Sequence, residues 1–191
     1  PLAAPGAARL AVEARQDVSV LALDAEAKRL AEVDGQDLRI WTLGGRQAQP
    51  WRVYPGLQGF MLRFDRTGRW LVHFNAVNGS PRGSLFDLQG PPDADPILLK
   101  RSDENYLTEA AFDPSGRWLV AAQVISLAMW PVGGNRSHVI AHCRGVPYSV
   151  AFAPDGQSIL ATCSPTEEAS VFVYPLAPDA PQGARLLIQM K

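Results

Sequence analysis

The chain has 191 residues, of which 47% are hydrophobic, and its 18 basic and 19 acidic side chains leave a formal charge of −1. That is enough apolar material for a sizeable core, and no basic block or stripe points to nucleic acid or an anionic membrane surface. No run approaches the roughly 18 apolar residues of a membrane-spanning helix, and the first fourteen residues lack the basic start and continuous apolar stretch of a secretory leader.

Taken in order, residues 1–7 are rich in Ala, Pro and Gly and read as the end of a linker. Ala8–Ala14 fits either a strand or a short helix, and the strand pattern downstream of it favours a strand. From Val18 onward, short apolar runs predict strands near 18–23, 28–33, 38–43 and 50–54, then near 60–65, 70–75, 83–88 and 96–100. A third set falls near 107–112, 117–123, 126–132 and 137–141, and a fourth near 148–153, 158–163, 170–176 and 184–190. Gly90-Pro91-Pro92, Gly133-Gly134-Asn135 and Pro178-Asp179-Ala180-Pro181 interrupt the pattern as connectors. No stretch keeps a 3.6-residue apolar period long enough for a helix.

The sets are copies of one another. Phe64-Asp65-Arg66-Thr67-Gly68-Arg69-Trp70-Leu71-Val72 recurs as Phe112-Asp113-Pro114-Ser115-Gly116-Arg117-Trp118-Leu119-Val120, with seven of nine positions identical. A looser copy spans Phe152–Leu160, and a degenerate one spans Leu23–Ala31. Each is an apolar run, a turn built from Asp, Pro, Ser or Thr with Gly, and a second apolar run, which reads as a β-hairpin. A third run follows each hairpin and ends in an aromatic residue. These aromatics, Trp41, Phe86, Trp130 and Tyr174, stand 45, 44 and 44 residues apart.

Units of about 44 residues with four strands each are the signature of propeller blades. The hairpin, together with Leu38-Arg39-Ile40-Trp41-Thr42-Leu43, resembles the WD-repeat family over about 15–190. The dipeptide that names the family is absent, since the positions read Trp-Thr, Phe-Asp, Trp-Pro and Tyr-Pro. The resemblance implies an all-β propeller of about four four-stranded antiparallel blades, at approximately 15–55, 56–101, 102–142 and 143–191. It also implies that residues 1–14 are a linker and the outer strand of a preceding blade. Four blades are few for this family, so the resemblance implies a fragment of a larger ring, completed by blades of a longer chain or of a second copy. His142 with Val146 is similar to the family's Gly-His element, which would make His142 a structural hydrogen-bonding residue.

Candidate chemistry is sparse. His138 and His142 are four residues apart, which on a strand is about 13 Å and too far for one metal. His73 lies in the apolar run Leu71-Val72-His73-Phe74 and reads as a packing residue. Cys143 and Cys163 show no C-x-x-C spacing and fit free thiols of a reducing, cytoplasmic setting, with a disulfide between them as the lesser reading. Trp70 and Trp118, two residues after their turn glycines, read as packing between neighbouring blades. No Gly-x-Ser-x-Gly elbow and no acidic or His register repeats across the blades, so neither catalytic, cofactor nor metal residues are assigned.

The resemblance implies a non-catalytic protein-interaction scaffold or sensor of a larger bacterial signalling protein. A propeller that senses a sugar or peptide is the alternative, and a propeller hydrolase the lesser one. In a propeller, the loops leading into each hairpin and the turns after its second strand share one face. Here that face carries Gln58, Glu104, Asn105, Tyr106, Arg144 and Tyr148, with Asn78, Arg82 and Glu167, as candidate partner-binding residues. Tyr106, Arg144 and Tyr148 lead that set, because Tyr and Arg dominate interfaces. The opposite face, with its Gly turns and Pro-rich connectors, is expected to serve structure.

Overall fold

The computed structural model describes residues 18–43, 50–77, 80–99, 107–143, 145–164, 170–176 and 185–189. These form sixteen strands and no helix. The first sheet holds β1 (Val18–Leu23), β2 (Arg29–Asp34), β3 (Asp37–Thr42) and β4 (Pro50–Tyr54). The second holds β5 (Met61–Phe64), β6 (Trp70–Val77), β7 (Ser80–Asp87) and β8 (Ile97–Leu99). The third runs through β9 (Leu107–Phe112), β10 (Trp118–Gln123), β11 (Ser126–Pro131) and β12 (His138–His142), and the fourth through β13 (Val146–Phe152), β14 (Ser158–Ser164), β15 (Ser170–Pro175) and β16 (Arg185–Gln189). Every sheet is a four-stranded antiparallel meander in chain order. The strands expected from 18 onward are thus present; Ala8–Ala14 lies outside the described residues.

The hairpin turns form as their residues dictate. The buried Asp65 carboxylate accepts the Trp70 N–H at 2.8 Å through Oδ1 and the Thr67 N–H and hydroxyl at 3.2 and 2.6 Å through Oδ2. Asp113 repeats this with Trp118 N–H at 2.7 Å and with Ser115, and Asp24 takes the N–H groups of Lys28 and Arg29 at 2.7 and 3.1 Å. Such side-chain caps fix a tight turn locally. The turn glycines Gly68, Gly116 and Gly156 have φ of 70°, 72° and 70°, and the degenerate first copy places Ala27 in the same left-handed region at 53°. Only that copy puts a Cβ there.

The four sheets stand side by side as blades. Their first strands line the inside of the arc, β1 packing on β5, β5 on β9 and β9 on β13. Strand alternation then gives each blade an upstream and a downstream face, and three apolar cores fill the junctions. Ala31, Val33, Leu38 and Ile40 of the first blade meet Leu62, Leu71 and Phe86 of the second. Val72, Phe74 and Leu85 of the second meet Ala110, Leu119 and Trp130 of the third. Ala111, Val120, Ala122 and Leu127 of the third meet Val150, Ile159 and Tyr174 of the fourth. The evenly spaced aromatics therefore share one role: each of Phe86, Trp130 and Tyr174 is at least 95% buried against the blade before it. The ring is open, and the four blades form an arc.

Candidate functional site

The two ends of the blades differ. One end, termed the entry end, carries the segments that lead into β5, β9 and β13 and the turns between the second and third strand of each blade. The other, the turn end, carries the hairpin turns capped by Asp24, Asp65 and Asp113.

At the entry end the first strands are bulged. The β1–β2 register slips at Ser19, the β9–β10 register at Thr108 and the β13–β14 register at Tyr148. A bulge leaves one residue outside the ladder and re-aims its side chain. Ser19 and Thr108 turn their hydroxyls to the next blade, donating to Gly59 O at 3.3 Å and to Pro147 O at 3.0 Å. The corresponding positions of the second and fourth blades are aromatic: Phe60 is 45% exposed and Tyr148 63%. Ile125, in the turn between β10 and β11, adds another exposed apolar side chain at this end.

Of the nine residues expected to bind a partner, the structure describes three. Gln58, Arg82 and Tyr148 are all exposed and all belong to the entry end. Asn78, Glu104, Asn105, Tyr106, Arg144 and Glu167 lie outside the described residues. Phe60 and Ile125 escaped the sequence reading, although Phe60 stands two 44-residue periods before Tyr148 and could have been found from that spacing.

Buried polar groups lie at the first junction and on the upstream face of the first blade. His73, on the second blade's upstream face, packs beside Phe86 and is wholly buried rather than half-buried. Gly59 lies so close that a Cβ there would fall 2.2 Å from His73 Nε2. Burial lowers the His73 pKa to about 4, against the opposing influence of the Gln58 backbone, so the ring is neutral at physiological pH. On the upstream face of the first blade, Glu32 accepts the Trp41 indole N–H at 2.8 Å, and burial raises its pKa. Arg39 is clamped between Asp34 and Asp37.

Two expectations are corrected by the structure. Cys143 and Cys163 are not free thiols but a disulfide, with Cα atoms 5.9 Å apart. Cys143 follows the outer strand of the third blade and Cys163 ends the second strand of the fourth. The junction brings them together although 20 residues separate them in sequence. Tyr174 Oη lies 3.6 and 3.8 Å from the two sulfurs, and burial raises its pKa. His142 is not a buried hydrogen-bonding residue: it is exposed at the end of β12, and the next residue, Cys143, is the one that turns inward.

At the turn end the described residues enclose two hollows. A cleft of about 530 Å³ between the third and fourth blades is lined by Trp118, Met129, Phe152 and Leu176, with Asp113, Arg117, Gly156 and Gln157 around them. A second hollow of about 240 Å³ adjoins it through Asp113 and Phe152 and extends to Arg63 and Arg66. Among the described residues, no group of three or more His, Cys, Asp or Glu side chains could hold a metal ion.

No protein-family model matches the chain, and no curated protein matches it either. Solved structures do. TolB from Acinetobacter baumannii aligns over 91% of this chain with a TM-score of 0.63. The β-propeller domain of Cps50 (Swd1) from Myceliophteria thermophila aligns over 91% with 0.66, and hydrazine synthase from Kuenenia stuttgartiensis over 87% with 0.69. The fold is a β-propeller. Identity is 15% in each case, so the likeness is one of fold alone. The chain spans 44%, 59% and 48% of the lengths of those three structures, which agrees with an arc rather than a ring.

Proposed function

We propose that this propeller segment is a non-catalytic protein-interaction module of the WD-repeat type, and that a protein partner docks on its entry end. The observation that carries this reading is the pair of aromatics at equivalent positions of the second and fourth blades: Phe60, just before β5, and Tyr148, at the β13 bulge, project at 45% and 63% exposure. Rigid scaffolds concentrate binding residues on the loops they display, and Tyr is enriched among the residues that dominate interfaces. Gln58 and Arg82 supply exposed polar contacts at the same end. The module belongs, in this reading, to a larger signalling protein. The Cys143–Cys163 pairing favours an oxidising compartment over the cytoplasmic setting expected of isolated thiols.

The test is affinity capture with the 191-residue chain as bait, alongside a Tyr106→Ala, Arg144→Ala, Tyr148→Ala triple variant and a Phe60→Ala variant. Both variants should retain a β-type circular dichroism spectrum and lose the partner. A partner retained by both would place the interaction elsewhere.

A further inference from the structure

The covalent link across the third junction is made one ladder rung from Tyr148. In the β13–β14 ladder Cys163 pairs with Pro147 and Thr162 with Ser149, which leaves Tyr148 as the residue outside the ladder. Cys143, four residues before Pro147, is bonded to the same Cys163. The segment that leads to Tyr148 is therefore tied to one residue at both ends, by the disulfide at Cys143 and by the ladder at Pro147.

Hydrogen bonds extend from these two ties. Thr108 of the third blade donates its hydroxyl to Pro147 O at 3.0 Å. On the far side of the bulge, the Ser149 N–H donates to Thr162 Oγ1 at 3.0 Å. The Cys143 N–H donates to Ile125 O at 2.9 Å, and Ile125 is itself exposed at the entry end. Ile125 is thus anchored on one half of the disulfide and Tyr148 on the other. At the register of Cys163 the second and third blades carry Asn75 and Gln123, neither of which can form such a link.

The chemistry of the pair is set by its surroundings. Cys143 is 9% exposed and Cys163 wholly buried, so an attacking thiolate meets Cys143 first. A dithiol reductant forms a mixed disulfide with Cys143 Sγ; the Cys143–Cys163 bond breaks, and Cys163 leaves as a thiolate. Tyr174 Oη, 3.8 Å from Cys163 Sγ and 3.6 Å from Cys143 Sγ, is placed to donate to that thiolate. Burial raises the Tyr174 pKa, so its hydroxyl keeps the hydrogen that this bond needs. The second thiol of the reductant then displaces Cys143 and closes the reductant's own disulfide. Two electrons and two protons pass to the cysteine pair.

We propose that the Cys143–Cys163 pair is a redox control on the entry end: the disulfide holds Tyr148 and Ile125 in the arrangement that a protein partner binds, and reduction by a dithiol releases them. A surface fixed in its bound arrangement loses less freedom on binding. The inference rests on the entry-end reading of function and adds regulation to it.

The experiment is ¹⁹F NMR of the chain labelled with 3-fluorotyrosine, whose four Tyr signals are assigned by single Tyr→Phe substitutions. Dithiothreitol is added until thiol titration finds both cysteines reduced. The Tyr148 signal should then shift, while that of Tyr54, at the first junction, stays in place. A Cys143→Ser, Cys163→Ser variant should show the reduced position of Tyr148 without reductant and no response to it. Should that variant fail to fold, re-oxidation of the reduced wild-type chain with oxidised glutathione replaces it, and the Tyr148 signal should return. The partner that the Tyr106→Ala, Arg144→Ala, Tyr148→Ala variant loses should bind the reduced chain about fivefold or more weakly than the oxidised one. A Tyr148 signal that stays in place on full reduction, one that moves together with Tyr54, or equal binding by the two redox forms overturns the control alone. A partner held equally by the triple variant removes the entry-end reading, and the control with it, even where the Tyr148 signal moves.

Discussion

The fourth blade has two faces built from similar side chains with opposite fates. Val150, Ile159, Ala161 and Tyr174 face the third blade and are buried to at least 95%. One residue along each strand, Ala151, Leu160 and Val173 share a register on the other face, with Ser149, Thr162 and Val171 beside them. There Ser149, Ala151, Leu160, Thr162 and Val171 line a shallow apolar hollow of about 180 Å³. The same positions of the third blade, Ala111, Val120, Ala122 and Leu127, are at least 95% buried, because the fourth blade covers them. Burial at these positions of the third and fourth blades is therefore conferred by the neighbouring blade more than by any one strand's pattern. The downstream face of the fourth blade has the composition of a junction without its partner.

The largest expected effect comes from this contrast. Ile159→Ala should cost about 2–5 kcal/mol, the range for a fully buried aliphatic cut back to Ala, whereas Leu160→Ala, one residue away, should cost about 1 kcal/mol. Urea unfolding of the two variants measures both. Equal losses would mean that something covers the downstream face.

A second contrast separates the first junction from the third. At equivalent registers the upstream faces carry His73 in the second blade and Ala161 in the fourth. The folded His73 pKa of about 4 lies below the 6.5 of an unperturbed His, so between those values the unfolded chain binds more protons. The stability due to a neutral His73 is complete above about pH 6.5 and is lost as pH falls toward 4, by roughly 3 kcal/mol in all. Urea midpoints at pH 7 and pH 4.5 should therefore differ more for the wild-type chain than for His73→Ala. An equal difference in the two would remove His73 as the cause.

The smallest effect concerns the turns. Ala27 occupies the left-handed region that Gly68, Gly116 and Gly156 occupy in the other three copies. Ala27→Gly should stabilise the chain by about 1 kcal/mol, and Gly116→Ala should destabilise it by about as much. Thermal unfolding would reveal opposite shifts in Tm. Shifts of the same sign would contradict the equivalence of the four turns.

Fold was legible in the sequence because its determinants are local and repeated. Asp65 and Gly68 carry their turn by themselves, and the 44-residue interval of Phe86, Trp130 and Tyr174 marks one packing role per blade. What was missed depends on contacts between blades. Cys143 and Cys163 look unrelated along the chain and meet only across the third junction. Trp70 and Trp118 look alike locally, but Arg69 beside the first is held by Asp87, whose counterpart opposite Trp118 is Pro131, and both lie beyond the hairpins. Phe60, unlike Tyr148, was missed: it stands at the equivalent of the β13 bulge, a position that no residue type announces.

The open arc is the central claim, and it is tested most directly by light scattering with a hydrophobic dye on the isolated 191-residue chain. The chain should either self-associate beyond its 20.7 kDa monomer mass or bind the dye as a monomer. In each case Leu160→Lys with Val173→Lys should abolish the behaviour while leaving the β-type circular dichroism spectrum intact. A stable monomer that binds no dye, and that is unchanged by those two substitutions, would mean the fourth blade's downstream face is already covered and the arc is not open.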